Sequence, residues 1–316
     1  MSKVPACDGV IVVDKPNGPT SHDIVVCVRR ALHLKKVGHL GTLDPLATGV
    51  LPLVVGRATR LAPLFAGSAK QYSAVILLGL TTDTADITGT VTRSSAERLK
   101  AGRSSKVPGL PTPETIAAVA SSFVGSHLQR PPEISAKKVG GIRAYKLARE
   151  RRPAQLEPVP VTLETFTVLS NEGPRLHCRV VCSSGFYVRA LARDLGASLG
   201  CGGCLETLRR ERHGAFELAD AVSLSRVVED GASITRNLIP IDALLPEVPG
   251  VIVNDQGAHR VAHGNLLQRD EVFPTTSDAP MLANKGQVRI LNRRGNLLAI
   301  GECLASGALH PKIVLV

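Results

Sequence analysis

Apolar and polar positions change rhythm several times along the 316-residue chain. In "GVIVVDKPNGPTSHDIVVCVRRAL", Val10 to Val13 form a β-rich run that Lys15-Pro16 and Gly18-Pro19 break. Thr20 or Ser21 can cap the helix that follows. "KQYSAVILLGLTTDTADITGTVTR" predicts two strands around a turn of Thr, Asp and Gly, and "TPETIAAVASSF" a helix with Thr112 as cap and Pro113 at its first position. "VTLETFTVL" and "PRLHCRVVCSS" predict paired strands. "GFYVRALARDLGASLG" predicts a helix with Val188, Leu191, Leu195 and Leu199 on one face. Residues 94–113, rich in Ser, Lys, Pro and Gly, are expected to form an exposed connection. Prolines near residue 246 punctuate the chain, and "GQVRILNRRGNLLAIGECL" beyond them is strand-rich, with Arg-Arg-Gly-Asn as a hairpin turn. The pattern predicts a large domain over residues 1–245 and a small β-rich one over 246–316.

With 44% hydrophobic and 21% charged residues the chain can build a core. A net charge of +11 points to an acidic partner, nucleic acid ahead of membrane. Basic residues in "HLQRPPEISAKKVGGIRAYKLARERRP" offer an RNA-facing surface. Six Phe, three Tyr and no Trp leave little for an aromatic stacking platform, which makes Tyr72, Tyr145 and Tyr187 worth locating. The N-terminus carries no signal-peptide pattern, and no apolar stretch has membrane-spanning length. Seven cysteines in such a chain are expected to be reduced thiols of a cytoplasmic protein. A P-loop, a dinucleotide fingerprint, a serine-hydrolase elbow and HExxH are all missing, which disfavours nucleotide-dependent and simple hydrolytic chemistry.

Cys178, Cys182, Cys201 and Cys204 invite comparison with a zinc ribbon. The first pair sits in an alternating strand pattern, where residues four apart lie about 13 Å apart at a rise of about 3.3 Å per residue. One tetrahedral zinc cannot hold both without breaking the strand, so core thiols are expected and no metal site. Asp83 and Asp86 fit turn residues bonding their own backbone better than metal ligands. His39 has no nucleophile beside it to activate, and a structural role or an RNA contact stays open.

Asp44 stands apart. It is the only acidic residue between Asp23 and Asp83, inside "VGHLGTLDPLATGVLPLVVG". A carboxylate in so apolar a stretch is costly unless paired. Capping a turn before Pro45 is one reading. Chemistry is the other: Pro45 pushes Asp44 toward extended backbone, the glycines permit close approach, and an arginine-paired carboxylate stays ionised and nucleophilic.

"GVIVVDKPNGPTS", "GHLGTLDPLATGVLPLVVGRATR", "KQYSAVILLGLTTDTADITG" and "SSGFYVRALARDLGASLGCGG" together resemble the TruB family of pseudouridine synthases, in order and spacing, over about residues 9 to 215. The tail is more weakly similar to an RNA-binding PUA-like domain. The resemblance implies an α+β fold: a mixed, largely antiparallel catalytic sheet flanked by helices, plus the small β-rich PUA-like unit. It implies conversion of uridine to its C-glycoside isomer without cofactor, metal or nucleotide. Asp44 matches the nucleophile, Tyr72 the tyrosine that stacks on the extracted base, and Arg189 the arginine paired with the aspartate. His39 matches the histidine that fills the gap left by the flipped nucleotide, and Leu208 an apolar residue near the base. Tyr187 and Lys15 join the residues expected on the RNA side, with Lys15-Pro16 also supporting the loop. Arg209 and Arg210 are expected to be structural or phosphate-facing.

Two departures stand out: Ile134 where many bacterial members carry Tyr, and Cys204 where many carry His. The expected substrate is the T-arm of tRNA at position 55, with the protein acting as a monomer away from membranes. A guide-RNA-dependent enzyme of the related branch and a non-catalytic RNA-binding or folding protein are the alternatives.

Overall fold

The computed structural model describes residues 7–94, 110–135, 137–144, 156–230, 235–275 and 286–316. The connection at 95–109 and the basic stretch at 145–155, with Tyr145, lie outside them.

Strand β1 (Gly9–Lys15) reads as an unbroken apolar run because both of its faces are covered. Ile11 and Val13 enter one core, Val10 and Val12 the other. Helix α1 (Ser21–Ala31) follows, with Thr20 as N-cap in a reciprocal capping box with Asp23. That leaves the Ser21 hydroxyl free for a different task. Strands β2 (Val37–His39) and β3 (Thr48–Val55) are antiparallel and flank the loop that carries Asp44. Strand β4 (Lys70–Leu78) comes next. The "TTDTADITG" turn is closed by a separate hairpin, Leu80–Thr82 with Val91–Ser94.

Helix α2 (Pro113–Ser122) starts as the sequence predicts, Thr112 Oγ1 accepting from the Thr115 amide at 3.3 Å. Strands β5 (Gly125–Gln129), β6 (Val159–Glu172) and β7 (Arg175–Cys182) form the antiparallel end of the sheet. Helix α3 (Val188–Ser198) then packs Val188, Leu191 and Leu195 onto it. Strand β8 (Gly203–His213), strand β9 (Val222–Ser223) and helix α4 (Leu224–Glu229) complete the domain.

Among the described residues, eleven strands make one sheet with the main order β9-β1-β3-β8-β4-β7-β6-β5. It is mixed, since β1–β9 and β3–β8 run parallel and the other pairs along this order antiparallel. The expected α+β architecture is therefore present. At the β3–β8 join, Gly49 has φ +99 and a Cβ there would meet the Arg210 carbonyl at 2.2 Å, so only glycine fits.

A second sheet is built from β10 (Gly250–Val253), β11 (Val272–Pro274), β12 (Gln287–Leu291), β13 (Leu297–Cys303) and β14 (Leu309–Val314), in the order β11-β10-β12-β13-β14. Helix α5 (Asp255–Ala262) packs on it. The hairpin turn falls at 292–296, where the Asn292 side chain accepts from the amides of Arg294 and Asn296. This unit is joined to the larger one through a shared core: Leu297, Ile300 and Leu315 pack with Val10, Val54, Leu61 and Phe65. Arg57 donates to the Leu315 carbonyl at 2.7 Å, Arg60 to that of Val314, and the Leu297 amide to Asp242. Among the described residues, no helix is long and apolar enough to cross a membrane.

Candidate active site

The loop between β2 and β3 is held through its backbone. Every carbonyl from Gly41 to Ala47 accepts a hydrogen bond. Arg210 donates to Gly41 (3.1 Å) and Thr42 (3.5 Å), and Ser21 Oγ to Leu43 (3.1 Å). The Asp44 carbonyl takes the Ala47 amide (3.0 Å), Pro45 takes the Gly18 amide (2.9 Å), and Leu46 takes Asn17 Nδ2 (3.2 Å). Lys15 Nζ reaches Ala47 (2.7 Å), Pro45 (3.1 Å) and its neighbour Pro16 (2.9 Å). The motif "KPNGPTS" is thus a cradle whose ligand is the Asp44 loop itself.

Of the two expectations for Lys15, support of the loop agrees with the fold and placement on the RNA side does not. The residue is 0% exposed and its ammonium is occupied by three carbonyls, so it supports the loop and cannot meet RNA. Burial drives its pKa down to about 8, and the nearby Asp44 charge works in the opposite direction.

Asp44 and Arg189 meet as a two-pronged ion pair: Nε to Oδ2 at 2.8 Å and Nη2 to Oδ1 at 3.1 Å. Arg189, at the start of α3, is 5% exposed, while the Asp44 side chain keeps 38% of its surface open. The rest of the guanidinium is also engaged. Nη1 donates to Thr84 O and Nη2 to Ile134 O, each at 2.9 Å, and Nη1 lies 3.7 Å from Asp86 Oδ2. Ile134, one of the two sequence departures, therefore enters the site through its carbonyl. Asp86 is buried and receives Thr84 Oγ1, Thr88 Oγ1 and the Thr88 amide, so it is the turn residue the sequence predicts. Its second task, facing Arg189, has no local sequence signal, because the partners are 103 positions apart.

Tyr72 on β4 packs in the main core with 7% of its surface exposed. Burial raises its pKa, and the adjacent Arg210 guanidinium partly opposes this. Leu208 on β8 faces Ala74 of β4 and is nearly buried. Two residues on, Arg210 is 1% exposed, with Nε donating to Val50 O at 2.7 Å. Of the two expectations for it, the structural one holds. The period-two alternation of β8 puts it on the face of Leu208, which was the signal available in the sequence. Arg209 points the other way and pairs with Asp14 at 2.8 and 3.0 Å.

His39 is half-buried on β2, opposite Leu53. Tyr187 caps α3, and its peptide is clamped by the buried Gln129, which donates to its carbonyl (3.1 Å) and accepts from its amide (2.9 Å). Sequence pattern gave Gln129 no role. Burial raises the Tyr187 pKa, a hydrogen bond to Ser135 opposing it. His213 is fully buried; burial and the charges of Arg210 and Lys70 bring its pKa down to about 3. Its ring lies where a Cβ on Gly41 would sit 2.9 Å from Cε1, which explains glycine there.

Cys178 and Cys182 lie buried on β7, and burial pushes both thiols up to about 12. Cys204 packs with Leu77 and Leu80. Among the described residues no three metal-ligating side chains converge.

An arginine-held carboxylate open on one side, beside a buried tyrosine, suits attack on or stabilisation of an electron-poor carbon. The family model for TruB family pseudouridylate synthase (N-terminal domain) matches residues 29–188. That for the tRNA pseudouridylate synthase B C-terminal domain matches 189–246. The chain belongs to the TruB family. It is 43% identical over 310 residues to a tRNA pseudouridine synthase B of Solibacter usitatus, covering 98% of this chain and 100% of that one. A protein of the same name from Geobacter sulfurreducens is 40% identical over 300 residues, 94% of each chain. Among solved structures, a chain of the archaeal box H/ACA sRNP Nop10-Cbf5 complex superposes with a TM-score of 0.69 at 25% identity, covering 98% of this chain and 87% of that one. Asp44 and Tyr72 fall in the first family segment and Arg189 opens the second; the second sheet lies beyond both.

Proposed function

We propose that this TruB-family protein isomerises uridine to pseudouridine in tRNA, at position 55 of the T-loop. The ion pair between Asp44 and Arg189 is the observation that carries the reading. The reaction breaks the N1–C1′ bond, turns the uracil over and joins C5 to C1′. The C5 proton is lost and N1 gains one, so atoms and charge balance without a cofactor.

In this reading Asp44 attacks C1′, or stabilises the cationic sugar as the bond breaks. Arg189 keeps it ionised and aimed, its planar fork fixing both oxygens. Tyr72 supports the extracted base, which helps to offset an unstacking cost of a few kcal/mol. Tyr72 is 7% exposed, so stacking of a base on its ring requires the cover over it to move. Leu208 borders the base, His39 fills the gap it leaves, and Tyr187 lines the RNA side. Relatives named tRNA pseudouridine synthase B match at 43% and 40% identity, against 25% for the chain of the box H/ACA sRNP Nop10-Cbf5 complex, which supports a stand-alone enzyme. The reading extends to action in the cytoplasm, where the seven cysteines of the chain would stay reduced.

The test is to incubate the purified protein with unmodified tRNA and map modified positions by carbodiimide-dependent primer-extension stops. A single new stop reporting position 55 supports the proposal. Bound but unmodified tRNA contradicts it.

A further inference from the structure

Between Asp23 and Asp83 the chain has one acidic residue, Asp44, and this stretch opens with "RRALHLKK" at 29–36. Helix α1 ends there in a Schellman turn: the Leu34 amide bonds to Arg29 O (3.0 Å) and the His33 amide to Arg30 O (3.2 Å). His33 takes the left-handed conformation this turn needs, φ 50, although it is not glycine. Lys35 and Lys36 follow this turn directly. The Gly56 amide then pins Lys36 through its carbonyl (2.9 Å), and the chain enters β2.

Arg30, His33, Lys35 and Lys36 are exposed and Arg29 is half-buried. Among the described residues none of these cations has a carboxylate partner within 4.0 Å. Elsewhere in the larger unit Arg57, Arg175, Arg179, Arg189, Arg193 and Arg209 are paired with acids, and cations without one, such as Arg130, Arg212 and Arg226, are scattered, whereas this corner gathers four Lys and Arg within eight residues. Complementing the dipole of α1 accounts for Arg29 and Arg30 in its last turn but not for Lys35 and Lys36. From Lys36 to Asp44 the chain spans at most about 29 Å. The corner therefore lies within reach of the stem that adjoins a uridine held at Asp44.

We infer that the α1–β2 corner, through Arg30, Lys35 and Lys36, binds backbone phosphates of the RNA stem next to the target uridine. The contact reads phosphate rather than base, and rigid attachment through β2 sets the distance from stem to Asp44. This inference rests on the proposed action on tRNA.

The test is the salt dependence of tRNA binding by the full chain, wild type against the triple variant Arg30→Ala/Lys35→Ala/Lys36→Ala. Arg175→Ala, which removes a carboxylate-paired arginine, is the control. The triple variant should lose about 2 to 3 from the slope of log K against log salt, one per phosphate contact. Its affinity near physiological salt should fall about tenfold or more, with Arg175→Ala unchanged. Single-turnover pseudouridine formation at saturating tRNA should keep its rate. A slope within about 0.5 of wild type in the triple variant, or a flat wild-type slope, overturns the inference. Wild type that binds steeply but makes no pseudouridine defeats the functional reading instead, and the slope comparison still decides this one.

Discussion

The two sheets treat charge differently. Residues 246–316 hold 7 Lys and Arg against 6 Asp and Glu, so nearly all of the +11 resides in the first 245 residues. Among the described residues, the larger unit buries Lys15, Lys70, Asp86, Arg189, Arg210 and His213. In the smaller one Glu271 is the one buried charged side chain among the described residues, bridged by Arg260 at 2.8 Å. Burying an ion costs several kcal/mol unless its partners are well placed. Lys15 and Arg210 accept that cost at the Asp44 loop, where they grip backbone carbonyls, and Arg189 accepts it beside Asp44 itself, whereas Lys70 donates to Ser68 O. Buried charge here is a positioning device for one carboxylate, while the second sheet is an ordinary packed body sharing the first unit's apolar core.

The largest effect expected from breaking this contrast comes at Arg189. Arg189→Ala leaves Asp86 buried without its cation and Asp44 unaimed. We expect a stability loss of about 3–5 kcal/mol by denaturant titration, and no measurable pseudouridine. Arg189→Lys keeps the charge but not the fork, and should restore stability more than rate. A variant as fast as wild type would show that the pair does not position Asp44.

Lys15→Met comes next. Its length is kept, but the Ala47 carbonyl loses its donor, while Pro45 keeps the Gly18 amide. Leaving a buried carbonyl unpaired costs about 1–3 kcal/mol, and the catalytic rate should fall more than tRNA affinity. The Lys15 pKa also has a signature in pH. In the folded state it lies near 8 against the ordinary 10.5, so between those values the unfolded chain holds the extra proton. Stability from this group therefore rises with pH across that window and levels off above it. Lys15→Met should lack that rise in denaturant titrations between pH 8 and 10.5.

His213 gives the acid-side counterpart. Its folded pKa near 3 lies below the ordinary 6.5, so the unfolded state binds the extra proton between these values. Stability should fall as pH drops through that window, by up to about 1.4 kcal/mol per pH unit. His213→Gln should flatten that slope while lowering stability at neutral pH. An unchanged slope would mean the ring is not held neutral by the fold.

The smallest effect is expected in the second sheet. Arg293→Ala/Arg294→Ala, in its exposed hairpin turn, should change tRNA affinity by about twofold and the salt slope by less than 1. A tenfold loss would place the electrostatic hold on RNA in this sheet despite its balanced charge.

Much of this was legible in the sequence, and the residues say why. Thr112-Pro113 starts α2 because a cap and a fixed φ are local properties. The unbroken "VIVV" of β1 marks a strand covered on both sides, and Cys178 and Cys182 fit the alternation of β7. Asp44 was conspicuous because it is a charge among apolar neighbours. Its cradle was not, because the groups that Lys15, Ser21, Asn17 and Arg210 hold are backbone carbonyls, identical at every position. Lys15 illustrates the limit: a lysine before proline looks like a surface cation, and only the fold shows that three carbonyls surround it. Asp86 and Gln129 act on partners far away in the chain, so no periodicity reports them.

The most direct test of the central claim is tritium release from tRNA labelled at C5 of uridine, comparing wild type with Asp44→Asn under single-turnover conditions. The account predicts stoichiometric release by wild type, release reduced by at least about 1,000-fold in Asp44→Asn, and unchanged tRNA affinity. Release by Asp44→Asn at a rate near that of wild type would contradict it, and with it the role given to the loop that so many side chains hold in place.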